Sequence, residues 1–178
     1  MRVILFLCFM NQIILVGFMG SGKSTLGKSL STHLHFHFID TDSLIEEQTG
    51  LTVSEIFELK GEHAFRKMEK EAISSVSQNE NHVIAVGGGL PEIPGMMQQL
   101  NELGRTVFLN VSEDELLRRL YSQSEKRPLI RSLDEQELGK FISAAYERRK
   151  PFYLQSKIVI SSDNISVDDL LNALKEYE

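Results

Sequence analysis

Apolar positions in this chain switch between short unbroken runs and helical spacings. Ile13-Ile14-Leu15-Val16, Phe36-His37-Phe38-Ile39, Val83-Ile84-Ala85-Val86, Thr106-Val107-Phe108-Leu109 and Ile158-Val159-Ile160 are rich in β-branched or aromatic residues. Each lies near a turn signal or a carboxylate, and each predicts a strand. Between them Leu26, Leu30 and Leu34 recur at helical spacing. Phe65, Met68, Ala72 and Val76 share one helix face, and Leu138, Phe141, Ile142 and Ala145 share another. Helix starts are marked by Thr52…Glu55, Ser112…Glu115 and Ser166…Asp169, in which a hydroxyl and a later acid can satisfy each other's backbone N–H. Pro151 predicts that the helix carrying Arg148 and Arg149 stops there. Runs this apolar suit strands buried on both faces of a parallel sheet. The alternation predicts a three-layer α/β domain whose ligands lie beyond the carboxyl ends of the strands.

That rule directs attention to the loop after each strand. After the first comes Gly17-Phe18-Met19-Gly20-Ser21-Gly22-Lys23-Ser24, a G-x-x-x-x-G-K-S phosphate-binding loop placed between a strand and a helix. Its glycines let successive N–H groups curl inward as an anion nest, and the next helix adds its positive end. Lys23 can then reach the β- and γ-phosphates, and the Ser24 hydroxyl can ligate Mg²⁺. After the second strand comes Asp40-Thr41-Asp42. Beside a triphosphate, one aspartate can hold Mg²⁺ and the other can accept the proton of an attacking hydroxyl; either could instead cap the helix starting near Ser43. After the third comes Gly87-Gly88-Gly89, best explained by close approach of a ligand to bare backbone.

Composition narrows the field. The 178 residues suit one domain, and a net charge of −6 speaks against a nucleic-acid-binding surface. An acidic protein that binds anions must gather its cations locally. A single cysteine, Cys8, excludes an internal disulfide and points to a reducing cytoplasm. Residues 1–10 carry one arginine and then an apolar stretch too short to span a bilayer. They are expected to be an N-terminal extension, with Met10 a plausible natural start. His33, His35 and His37 straddle a helix end and a strand start without a further ligand, so no zinc site is expected.

Three arginines stand in distinctive settings: Arg66 after Phe65 on a helix, Arg127 before Pro128-Leu129 in a polar segment, and Arg149 in Arg149-Lys150-Pro151-Phe152-Tyr153. Together with the phosphate loop, Asp40-Thr41-Asp42 and Gly87-Gly88-Gly89, in this order, they make the chain from about Gln12 onward resemble the shikimate kinases. The resemblance implies a fold like that of nucleoside monophosphate kinases. A five-stranded parallel sheet in order 2-3-1-4-5 is expected, flanked by helices and carrying a mobile lid over residues 122–133. It also implies transfer of the ATP γ-phosphoryl to the 3-hydroxyl of shikimate, on the route to chorismate and aromatic amino acids.

By the same resemblance Gly20, Ser21, Gly22, Lys23, Ser24, Thr25, Arg119 and Arg127 would hold ATP, with Arg119 or its neighbour Arg118 against adenine. Ser24 and Asp40 would serve Mg²⁺. Asp42, Arg66, Gly87, Gly88, Gly89 and Arg149 would hold shikimate, the two arginines clamping its carboxylate and Asp42 acting as base. Lys23, Asp42 and Arg127 would be catalytic, in a cytoplasmic monomer with no nucleic-acid or membrane partner. Ser161-Ser162-Asp163-Asn164-Ile165 departs from the family's adenine loop, with its aspartate displaced and no proline. Gluconate or nucleoside monophosphate kinases, and a non-catalytic nucleotide-binding module, are the rival readings.

Overall fold

The computed structural model describes residues 12–76, 80–122, 130 and 132–177. The expected extension with Cys8, Arg127 and most of the expected lid fall outside them. Five strands, β1 (Gln12–Val16), β2 (His37–Asp40), β3 (His82–Ala85), β4 (Arg105–Asn110) and β5 (Ile158–Ser161), form one parallel sheet in the order β2-β3-β1-β4-β5. The helices are α1 (Lys23–Leu34), α2 (Thr41–Thr49), α3 (Val53–Ser74), α4 (Met96–Leu103), α5 (Glu113–Tyr121), α6 (Glu135–Tyr153) and α7 (Val167–Glu176), with a 3₁₀ turn at Leu90–Glu92.

Register places the strand ends at one level. Leu15 of β1 aligns with Ala85 of β3, and Asp40 of β2 aligns with the same Ala85. The three loops singled out in the sequence therefore leave one sheet edge side by side. Residues from alternate positions of β1 divide the core: Ile14 and Val16 face the layer containing α4, α5 and α6, and Ile13 and Leu15 face α1 and α7. Burial on both sides holds for β1 and β3. The outermost strands differ from expectation, since β2 and β5 are partly open to solvent and each pairs along one edge only.

A third, smaller core joins α2 to α3 through Ile45, Ile56, Phe65 and Ala72. Gly61, at φ 78°, breaks α3 into two stretches. Phe57 before the break and Phe65 after it bring their rings to 4.8 Å.

Caps match the sequence with two refinements. Thr52 and Ser166 make complete reciprocal boxes, but at Ser112 only the hydroxyl caps, because Glu115 turns its carboxylate to Arg118 and Arg119. Asp134 and Glu137 make a further box. Pro151 does not stop α6. The helix runs on to Tyr153, its last turn closed by Leu154 N–H donating to the Lys150 carbonyl. Proline loses one helical bond there, and the burial of Tyr153 against Phe108, rings 5.1 Å apart, holds the turn in place. Phe141 lies on the shoulder of the apolar stripe and is 37% exposed, unlike Leu138, Ile142 and Ala145.

Candidate active site

At the carboxyl end of the sheet, two adjoining cavities of about 450 and 500 Å³ share Met19, Asp42, Gly87 and Gly88 as a common wall. The first is lined by Gly20 to Leu26, Asp40 and Arg119. Gly22 caps α1 with φ at 96° and carries no side chain to cap the helix. Such a helix end is a ready anion site. The Lys23 ammonium donates to the Gly17 and Phe18 carbonyls at 2.8 and 2.9 Å, which folds it back along the loop.

Ser24 donates its hydroxyl to Asp40 Oδ2 at 2.6 Å, bringing the expected metal pair into contact. Asp40 Oδ1 meanwhile accepts from the Asp42 and Ser43 N–H groups and caps α2, so the cap and the Ser24 contact fall on different oxygens. Arg119, not Arg118, lines this cleft. It donates to the Gly20 carbonyl at 3.2 Å, to the Asp163 carbonyl and to Glu115 at 2.6 Å. Arg118 is 72% exposed. The displaced Asp163 has a use: its carboxylate accepts the Ser112 N–H at 2.9 Å, tying the loop after β5 to the start of α5.

The second cavity is lined by the α2–α3 region, Arg66, Glu69, the glycine shelf and Arg149. Arg66 donates to Glu69 at 2.6 Å and to Glu62 at 2.9 Å. Arg149 donates to Glu92 at 2.7 Å and lies over the Phe18 ring, 5.5 Å from its centre. The three glycines fit closely among these groups. A Cβ added at Gly87 would stand 2.9 Å from Asp42 Oδ1 and closer still to Glu69 Oε1, and one at Gly89 would strike the Arg66 guanidinium. Tyr153 donates to the Gly88 carbonyl at 2.5 Å and Thr41 accepts the Gly87 N–H at 3.0 Å, fixing the shelf from both sides.

Asp42 Oδ1 and Glu69 Oε1 are buried and lack a hydrogen-bond partner among the described residues. Burial and then the Asp40 charge push the Asp42 carboxyl up to about 6, against the pull of Lys23. Burial pushes Glu69 up to about 7, and Arg66 only partly offsets it. A carboxylate with raised proton affinity between two cavities is suited to take a proton from an acceptor hydroxyl.

Lys23, Asp42, Gly20 to Gly22, Ser24, Thr25, Asp40, Arg119, Arg66, Gly87 to Gly89 and Arg149 thus all line one continuous site, and Arg127 lies outside the described residues. Glu69 and Glu92 escaped the sequence reading. Glu69 had a readable signal, since it falls on the apolar face between Phe65 and Ala72 and three residues after Arg66. Glu92 had none, being 57 residues from Arg149.

A family profile described as shikimate kinase matches residues 19–177. The chain belongs to the shikimate kinase family. Members of this family are kinases that use ATP and act on an alcohol group of shikimate. A curated shikimate kinase of Bacteroides thetaiotaomicron is 42% identical over 156 residues, covering 88% of this chain and 89% of the relative. The solved shikimate kinase structure from the same species superposes with a TM-score of 0.87 at 40% identity, covering 94% of this chain and 97% of that one. A shikimate kinase from Acinetobacter baumannii in complex with shikimate gives 0.85 at 28% identity, covering 97% and 95%.

Proposed function

We propose that this chain transfers the γ-phosphoryl of ATP to the 3-hydroxyl of shikimate, with the loop cleft as donor site and the arginine-lined cavity as acceptor site. The observation that carries this reading is the shared wall. Asp42, with a buried oxygen unpartnered among the described residues, stands between a phosphate loop and a cavity presenting two arginines. A planar carboxylate is best read by two-pronged guanidinium groups, and shikimate offers one such carboxylate and three hydroxyls.

In this reading the loop N–H groups and Lys23 hold the β- and γ-phosphates of ATP, and Arg119 lies against the adenine. Arg66 and Arg149 fix the acceptor's carboxylate, with the Gly88 backbone beside it, so the ring hydroxyls fall toward Asp42. Asp42 accepts the hydroxyl proton as phosphoryl transfer proceeds. Lys23 stabilises the charge spreading over the phosphoryl oxygens. Arg127 is assigned to the same phosphates by family resemblance.

The contact of Ser24 with Asp40 supplies the hard oxygen donors that Mg²⁺ prefers, and these two residues would hold the ion. Bound there, Mg²⁺ supplies charge neutralisation for the phosphates. The net charge of −6 supports an enzyme without a nucleic-acid partner, and among the described residues no helix is long and apolar enough to cross a membrane. One chain supplies both cavities, which supports a monomer, and dependence on ATP supports a cytoplasmic setting.

A coupled ADP-release assay with shikimate, gluconate and nucleoside monophosphates as acceptors tests the reading. Turnover is expected with shikimate alone; ADP release that does not depend on shikimate overturns it.

A further inference from the structure

The 3₁₀ turn after the glycine shelf ends in Glu92, whose two oxygens go to two different arginines. Oε1 accepts from Arg148 Nε at 2.6 Å and Oε2 from Arg149 Nε at 2.7 Å. The arginines are neighbours on α6 but unlike in setting: Arg149 is 12% exposed and lines the acceptor cavity, and Arg148 is 62% exposed and does not. The Phe18 ring lies under the Arg149 guanidinium, and Phe18 is fully buried. The guanidinium is therefore fixed in plane by a ring and in rotation by a carboxylate.

We infer that Glu92 is a positioning residue for the substrate carboxylate, setting the guanidinium of Arg149 from its Nε edge while Arg148 offsets the charge that Glu92 brings. The inference rests on the reading of Arg149 as a carboxylate clamp. A carboxylate beside an anion-binding arginine has two opposed effects. It orients the guanidinium, and it reduces the positive charge that the substrate meets. Arg148 decides between them: two cations and one anion leave the cluster at +1, the charge a lone Arg149 would carry. Orientation is thus retained without loss of local charge.

Glu92 is well placed for this. Burial raises its proton affinity, but the hydrogen bonds from Arg148 and Arg149 outweigh burial and hold the carboxyl below its ordinary range. It stays ionised wherever the enzyme would work. The turn that carries it, Leu90–Glu92, begins directly after Gly89, and Leu90 N–H donates to the Gly87 carbonyl at 3.1 Å. The shelf and the arginine are thereby coupled through one short turn, and both border the same cavity.

Steady-state kinetics with shikimate and ATP varied in turn test this on Glu92→Gln, Glu92→Asp, Arg148→Ala and Arg149→Ala. Glu92→Gln keeps the size of the side chain and is expected to raise the shikimate KM about tenfold, the loss of roughly one charge-assisted hydrogen bond. The expected kcat and ATP KM stay within about twofold, a split that general loss of packing would not give. Glu92→Asp is expected to recover part of the loss, and Arg148→Ala, on an exposed side chain, to raise the shikimate KM about two- to threefold. An unchanged or lowered shikimate KM in Glu92→Gln overturns the proposal; a lowered one would mean that Glu92 competes with the substrate. Arg149→Ala separates the two layers. A large KM rise there with none in Glu92→Gln removes only the positioning role, and no rise in either removes the clamp itself.

Discussion

In the proposed donor cleft, Met19 to Leu26 line one wall from consecutive residues, and Lys23 is held by backbone carbonyls of the same loop. In the acceptor cavity, the lining comes from α2, α3, the glycine shelf and α6, and the decisive groups are side chains paired with other side chains. The donor half sits on the main sheet core, whereas the acceptor half leans on the small separate core of Ile45, Ile56, Phe65 and Ala72. Phosphate can be read by local backbone geometry because its oxygens accept from any inward N–H. A carboxylated ring with several hydroxyls needs convergent side chains, and these arrive only by packing.

Substitutions can break that contrast. Lys23→Ala is expected to lower kcat by about a thousandfold or more with thermal unfolding little changed, since the ammonium bonds to loop carbonyls and Lys23 lines the cleft rather than the apolar core. Wild-type turnover in a single-turnover assay would count against the donor assignment. Asp42→Asn is expected to lower kcat by about 10²–10⁴-fold while shikimate still binds, which isothermal titration can read separately. Arg149→Ala is expected to raise the shikimate KM by about thirtyfold or more and to leave the ATP KM within about twofold. An equal loss for both ligands would erase the difference between the halves.

Two smaller effects bear on stability. Gly87→Ala forces a methyl group against buried Glu69 and Asp42 and is expected to cost about 1–3 kcal/mol in urea unfolding. The same change at Gly50 would test only backbone strain, since a Cβ there meets nothing within 4 Å.

Glu69 gives the pH signature. Burial favours its protonated form, so the folded protein binds that proton more tightly than the unfolded chain. Its contribution to stability is fully present below the unfolded carboxyl value of 4.5 and is lost as pH rises to about 7. Urea-unfolding free energies across that window are expected to fall in the wild type and to fall less steeply in Glu69→Gln. Identical slopes would show that Glu69 is solvated or fully compensated.

Legibility in the sequence divides along the same line. The five apolar runs located all five strands to within a residue or two at each end. Burial in a parallel sheet leaves little choice of residue for β1, β3 and β4, and β-branched or aromatic residues still mark the more open β2 and β5. The reach of α6 through Pro151 was not readable, because the burial of Tyr153 and its bond to Gly88 outweigh the missing N–H. The glycine shelf was best explained by close approach of a ligand, and two of its three positions are also required by protein groups, Glu69 against Gly87 and Arg66 against Gly89.

By itself the sequence determined the strand and helix alternation, the phosphate loop, and the aspartates that follow the second strand. Those are properties of neighbouring residues, set by local backbone geometry and apolar periodicity. The tertiary structure alone decided which carboxylate faces Arg148 and Arg149, and that Glu69 is buried. Glu69 is buried by the packing of α3 on the shelf, and Glu92 meets Arg148 and Arg149 only because the 3₁₀ turn and α6 pack together. Arg66 and Glu69, three residues apart on α3, come within reach by helix geometry alone. The Glu92 pairing instead depends on the distance between elements far apart in the chain, and no spacing along the sequence encodes it.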